Sequence, residues 1–224
     1  MEQEMQLFNI LGPVMIGPSS SHTAGAARIG RVTYRLLGEQ VAQAEVGYHG
    51  SFAKTWRGHG TDRAIVGGLM DMPTDDIRLR DSLTLAPAQG LDVRFEQVEL
   101  RNAHPNTVRI RAKGVSGAQI EVIAASVGGG SIEVRSINGM ELCFTGNQHT
   151  LIIRHHDVPG MIATVSGVLA QQQVNIATMR VSRRSQGGEA MMAIEMDDRP
   201  GQGLVVRLRQ TEGITHATLL EKIG

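Results

Sequence analysis

Two periodicities alternate along the chain. Val93 to Leu100 (VRFEQVEL), Val108 to Ala112 (VRIRA) and Ile132 to Val134 place apolar and polar residues in turn, a period of two that predicts strands with one face buried. Ala26 to Leu37 and Thr61 to Met70 read as helices, the first after a Gly-Pro-Ser-Ser-Ser-His-Thr stretch and the second ending before Pro73. A polar cluster, Thr145 to Thr150 (TGNQHT), then precedes the apolar run Leu151 to Ile153 and predicts a domain boundary there, with residues 1–147 on one side and 148–224 on the other.

Beyond the boundary the order is βαββαβ. Strands are expected at Leu151 to Arg154, Val174 to Arg183, Ala190 to Met196 and Ile214 to Leu220, and helices at Gly160 to Gln172 and Pro200 to Gln210. The first helix should rest on Ile162, Val165, Val168 and Leu169, which share one face at helical spacing. Pro200 fits a first helical turn, where its missing N–H costs nothing. The fold class is therefore α/β (α+β), a mixed α/β domain followed by a ferredoxin-like split βαβ unit. A unit of roughly 75 residues buries only about 60% of the surface its unfolded chain exposes, so it is expected to dock on a copy of itself or on the larger domain.

Charge and cysteine counts narrow the partners. Twenty-two Lys and Arg balance 22 Asp and Glu, which gives no attraction for nucleic-acid phosphates. A single cysteine, Cys143, can form neither an internal disulfide nor the thiolate set of a zinc or iron–sulfur site, so this chain alone is expected to hold no metal. In the apolar stretch Leu142 to Phe144 it should be a small core residue. The uncharged stretches Phe8 to Ala27 and Met161 to Met179 are too polar to span a bilayer. With an acidic start, Met1-Glu-Gln-Glu, in place of a basic signal region, the expected location is the cytoplasm.

The candidate chemistry lies in loops. Gly17-Pro18-Ser19-Ser20-Ser21-His22-Thr23-Ala24-Gly25 sets four hydroxyls and an imidazole at a helix start, where unpaired N–H groups and the macrodipole favour an anion. It is either a carboxylate-binding loop or a Ser/Thr-rich N-cap. A Ser-His hydrolase is disfavoured, since the adjacent Ser21 and His22 should be poorly placed to bond and no Gly-x-Ser-x-Gly elbow is present. In Gly58-His59-Gly60-Thr61-Asp62-Arg63 the glycines leave the His59 ring open to a ligand, and imidazole titrates near neutrality, so His59 is a candidate proton carrier. Thr61 or Asp62 could cap the following helix. Asn106, in His104-Pro105-Asn106-Thr107, can donate and accept at once. Ser126-Val-Gly-Gly-Gly-Ser131 is a weak anion-loop signal that also suits a plain turn. In the second domain Asp157-Val-Pro-Gly160 marks a strand-to-helix junction, and Asn175 a chain reversal. Met179, Met191, Met192 and Met196 read as core filling.

With these residues in view, the chain resembles the β chains of bacterial two-subunit, iron–sulfur-dependent L-serine dehydratases, through GPVMIGPSSSHTAGAARIGR, YHGSFAKTWRGHGTDRAIVGGL, HPNT and SVGGGSIEV. Its closing segment, DVPGMIATVSGVLAQQQVNIATM, resembles an ACT domain, a regulatory fold that commonly binds amino acids. The resemblance implies a lyase of amino-acid catabolism, feeding gluconeogenesis. A partner α chain holds a 4Fe-4S cluster with one open iron that activates the serine hydroxyl, a base takes the α-proton, and aminoacrylate hydrolyses to pyruvate and ammonia. It further implies that Ser19, Ser20, Ser21, His22, Thr23 and Asn106 contact substrate, and that His59, Thr61 and Asp62 belong to the catalytic site, with His59 the expected base. Asp157, Gly160 and Asn175 would form a ligand or dimer site in the ACT domain, where the Asp157 carboxylate disfavours an amino acid's carboxylate and gives self-association more weight. The competing reading is a non-catalytic amino-acid sensor that needs no partner. A nucleotide-binding protein is disfavoured, for want of a P-loop or a strand-linked Gly-x-Gly-x-x-Gly.

Overall fold

A computed structural model of the chain describes residues 15–17 and 19–223. The acidic start from which location was read, and Pro18 of the serine-rich stretch, lie outside the described residues. The chain divides into two compact units, one ending at Asn138 and one running from Gly139 to Ile223.

The first unit begins with a π-helical turn, Ser20–Ala24, that runs directly into α1 (Gly25–Leu37). Then follow β1 (Val41–Tyr48), α2 (Gly50–Thr55), α3 (Thr61–Leu69), a 3-10 turn (Ile77–Asp81), α4 (Ser82–Ala88), β2 (Asp92–Gln97), β3 (Thr107–Gly114), β4 (Gln119–Gly128) and β5 (Ser131–Ile137). The strands lie in the order β2-β1-β3-β4-β5. β1 pairs parallel with β2 and antiparallel with β3, and the helices α2 to α4 form the crossover that a parallel pair requires. The expected strand Val93 to Leu100 stops at Gln97, because beyond it only the Val98 N–H still bonds the sheet, to the Tyr48 carbonyl at 2.9 Å.

Helices α1 and α3 pack at a separation that only glycine permits. A Cβ on Gly68 would stand 2.1 Å from the Ala27 carbonyl, and one on Gly30 2.3 Å from the Ile65 carbonyl. Their close approach carries the serine-rich turn, at the start of α1, to the start of α3. The Gly129-Gly130 run is the two-residue turn of the β4–β5 hairpin, both residues at positive φ (58° and 79°) as such turns demand. The plain-turn reading of that run is the one the backbone supports.

The second unit comprises β6 (Met140–Phe144), β7 (His149–His156), α5 (Met161–Gln171), β8 (Ile176–Arg183), β9 (Glu189–Met196), α6 (Leu204–Arg209) and β10 (Ile214–Leu220). Its four-stranded antiparallel sheet has the order β10-β7-β9-β8, that of a ferredoxin-like unit. Helix α5 rests on Met161, Val165, Val168 and Leu169. Ile162, expected in that face, is 51% exposed: the buried stripe starts at Met161 and steps by four and three residues, which turns Ile162 outward. Helix α6 begins at Leu204 after Gly203 (φ 95°), so Pro200 precedes the helix and does not sit in its first turn. Cys143 is half-buried and not a core residue. Leu142 and Phe144 face inward on β6, and strand alternation sets Cys143 on the side of exposed Glu141.

Candidate active site

Ser19 is in extended conformation and caps the π-helical turn, its Oγ accepting from the His22 N–H at 3.1 Å. The Gly25 N–H reaches back to the Ser20 carbonyl, a wide turn of the kind often found at functional sites. The wider turn changes an expectation. Ser21 Oγ lies 3.1 Å from Nδ1 of His22, so these adjacent residues do bond, with Ser19 Oγ a further 3.5 Å contact on the same nitrogen. Because Nδ1 is engaged by hydroxyls, the free ring position of His22 is Nε2, which is buried without a hydrogen-bond partner.

The His22 ring stacks obliquely on His59, centroids 4.8 Å apart, and meets the edge of Phe52 at 5.1 Å. Burial, and then the neighbouring His59, hold the His22 pKa below its ordinary 6.5. His22 is thus neutral at pH 7 and keeps a lone pair for a proton. His59 stands at the exposed end of the pair. Its carbonyl accepts from Thr23 Oγ1 at 3.4 Å, which ties the two loops together.

Helix α3 starts at Gly60 in the left-handed region (φ 68°) and has no side-chain cap. Thr61 and Asp62, expected as caps, lie inside the helix instead. Thr61 Oγ1 is buried and unpartnered, and the Asp62 carboxyl accepts only locally, from the Arg63 N–H at 2.8 Å. Asp62 is 9% exposed, and burial raises its pKa, against the lowering pull of Arg63 and Arg57. The Asp62 charge in turn helps to push the Tyr48 phenol upward, after burial as the larger cause.

Tyr48 was not singled out by sequence reading. It ends β1 fully buried, stacked on Trp56 with centroids 5.1 Å apart, and its OH has no hydrogen-bond partner. The only signal in the chain was its place beside His49-Gly50 at a strand end. Asn106 sits beside the β3–β4 pair, where its carbonyl accepts from the Ser126 N–H at 3.0 Å and its Oδ1 is buried and unpartnered. Ser126 Oγ, also unpartnered, lies where a Cβ on Gly25 would be, at 2.1 Å. A cleft of about 450 Å³ opens beside Thr23 and His59.

The second-domain candidates do not converge. Asp157 Oδ2 accepts from Arg183 (2.8 Å) and from the Gly187 N–H (3.0 Å) at one end of β8, while Asn175 donates to Asp197 at the other. The eight residues of β8, at roughly 3.3 Å each, separate them within one chain. Gly160 caps α5 with φ 88°. The Asp157 pKa is lowered by the Gly187 amide and then by Arg183, so its carboxylate is already engaged.

The serine dehydratase beta chain family model matches residues 5–89, and the ACT domain model residues 149–213. Over 212 residues the chain is 43% identical to the probable L-serine dehydratase β chain of Bacillus subtilis, covering 95% of this chain and 96% of the relative. It is 36% identical over 215 residues to the L-serine dehydratase β chain of Peptoniphilus asaccharolyticus, covering 96% and 97%. A D-3-phosphoglycerate dehydrogenase of Bacillus subtilis is 24% identical over 88% of this chain but only 37% of its own length.

Proposed function

Because the chain belongs to the L-serine dehydratase β-chain family, we propose that it acts in the cytoplasm with a separate α chain, as a heteromeric lyase that turns L-serine into pyruvate and ammonia. The observation that supports this reading is the meeting of the Ser19–Thr23 turn with His59, just before Thr61 and Asp62, at a neutral His22 imidazole whose Nε2 has no partner.

The residues of this chain do not fit an iron–sulfur cluster. Among the described residues no three of His, Cys, Asp and Glu converge on a metal site, and the one cysteine is half-buried on β6. The 4Fe-4S cluster belongs to the α chain in this reading, and this chain's share is to bind, orient and move a proton. The hydroxyls of Ser19, Ser20, Ser21 and Thr23 surround the substrate, and Asn106 offers both a donor and an acceptor. His59, exposed at the mouth, takes the α-proton, and His22, fixed through Nδ1, can share that proton through Nε2. The ACT unit, with Asp157 already paired, serves self-association before serine binding.

Mixing the purified chain with its α chain under anaerobic conditions tests the reading: pyruvate formed from L-serine, and none from either chain alone, is the expected result. A mixture that binds serine but makes no pyruvate overturns it. One observation favours a second reading, an amino-acid sensor: the matching span in D-3-phosphoglycerate dehydrogenase is only part of an enzyme of another reaction. Tight calorimetric binding of serine to the isolated chain would favour the sensor.

A further inference from the structure

The cleft beside His59 contains a charge that the serine-rich turn lacks. Its walls include Thr23, His59, Leu79, Arg63 and Arg80. Arg63 lies in the first turn of α3, and Arg80 on the 3-10 turn, which is pinned by the buried Leu79. A Cβ on Gly67 would stand 2.2 Å from Leu79 Cδ2, so the glycine makes the notch that the leucine fills. The turn therefore presents Arg78 and Arg80 at fixed places, and Arg78 is held by Asp76 at 2.6 Å.

Neither Arg63 nor Arg80 makes an ion pair among the described residues; Arg57, Arg101, Arg180 and Arg207 share that condition but do not line this cleft. Arg31 and Arg35 share Asp71, Arg109 pairs with Glu96, Arg111 with Glu121, and Arg28 donates to the Gly130 carbonyl. The acid next to Arg63, Asp62, directs its Oδ1 to the Arg63 amide. Arg63 and Arg80, both exposed, thus line one cleft together with His59, with a volume of about 450 Å³ that suits a small molecule.

Hydroxyls alone are a poor host for a carboxylate drawn out of water, because they offer hydrogen bonds but no countercharge. A guanidinium supplies both and matches the carboxylate in shape. We propose that Arg63 and Arg80 bind the α-carboxylate of the amino-acid substrate and so select 2-amino acids at this site. The inference rests on the lyase reading for the identity of the substrate, but not for the existence of the anion site.

The test uses the α–β complex, with Arg63→Gln, Arg80→Gln, the double variant and the double Lys variant. In the double Gln variant KM for L-serine should rise by about tenfold or more, while kcat stays within about threefold. The double Lys variant should recover part of the loss, which a mere folding defect would not allow. Calorimetry on the His59→Ala complex, with L-serine and with L-serinamide, which lacks the carboxylate, reads the same site with turnover suppressed. With both arginines present that complex should prefer serine by about tenfold or more, and adding the double Gln change should abolish the preference. Unchanged KM, no preference with both arginines present, or parallel weakening of serine and serinamide overturns the proposal. A preference of this kind alongside a wild-type complex that forms no pyruvate removes the lyase reading and leaves the arginine site standing.

Discussion

Among the described residues of the first unit six buried polar atoms have no partner: His22 Nε2, Arg28 Nε, Tyr48 OH, Thr61 Oγ1, Asn106 Oδ1 and Ser126 Oγ. The second unit treats its polar groups differently. Buried Glu195 accepts from the Thr145 N–H, from Thr145 Oγ1 and from Thr178 Oγ1, and Asp157 and Asn175 are each bonded. Its exceptions are histidine nitrogens, His149 Nδ1 and His155 Nε2, and the first lies 3.6 Å from Glu221. An orphaned buried donor or acceptor costs about 1–3 kcal/mol. A unit that concentrates such atoms on the elements around one pair of histidines is built to be completed by a ligand, whereas a unit that pairs its charges is built to hold a shape.

Removing the histidines gives the largest effect and the sharpest test of that contrast. His59→Ala, assayed with the α chain, should lower kcat by about 10²–10⁴-fold if the imidazole moves the proton, with a smaller change in serine affinity. His22→Ala should lose activity to a comparable degree while its melting temperature holds or rises, since it removes an orphaned nitrogen. Because the His22 pKa is lowered, its neutral form persists below pH 6.5, and the unfolded chain takes up that proton first. Its contribution to stability is therefore intact at pH 7 and turns unfavourable as pH falls below 6.5. Loss of stability without loss of turnover in His22→Ala would break the comparison.

The second unit should answer in the opposite way. Leu169 is fully buried in its core, packed among Met161, Val165 and Leu204. Leu169→Ala should cost about 2–5 kcal/mol of stability, read by denaturant melts, while kcat per folded complex stays near wild type. A proportional fall in kcat well below the melting range would mean that the ACT unit takes part in the chemistry.

Asp62 stands between the two behaviours, being buried, charged and raised in pKa chiefly by desolvation. Between its ordinary 3.8 and the raised folded value the folded state holds the extra proton, so stability falls as pH rises through that window and stays lower above it. Asp62→Asn keeps an oxygen for the Arg63 N–H and removes the buried charge. It should gain about 1 kcal/mol at pH 7, a rise of about 2–4 °C in melting temperature for a chain of this size, and lose turnover. The stability gap to wild type should close below pH 3.8.

What could be read beforehand divides by the range of the interactions. The βαββαβ order was legible because β7, β9 and α5 are held by local apolar periodicity, as with Val165, Val168 and Leu169. The face of Ile162 was misjudged by one position, and Pro200 by one turn, since both depend on where a left-handed glycine starts the helix. β1 and β4 went unread. β1 is buried at Val46, Gly47 and Tyr48 in succession, which hides the alternation. In the candidate site the hydroxyl run and His59 were legible as residue types in loops. The Ser21–His22 bond was not, because it depends on a π-helical turn, and Tyr48 and the Arg63–Arg80 cleft were not, because they arise from tertiary packing.

The smallest expected effect belongs to Asp157, and it separates a binding carboxylate from a structural one. Its oxygen joins Arg183 and the Gly187 N–H across the turn between β8 and β9, and its lowered pKa means that this contribution is present above the ordinary carboxylate range and is lost only as pH falls through the folded value. The pair is solvent-exposed, and such pairs are weak and salt-screened. Asp157→Ala should therefore leave the melting temperature and serine turnover close to wild type at physiological salt. Its mark should be local, a faster amide hydrogen exchange at Gly187 that added salt mimics in the wild type by weakening the Arg183 contact. A change in the serine dependence of turnover, with Gly187 exchange unaltered, would instead give Asp157 a ligand to hold and make the second unit resemble the first.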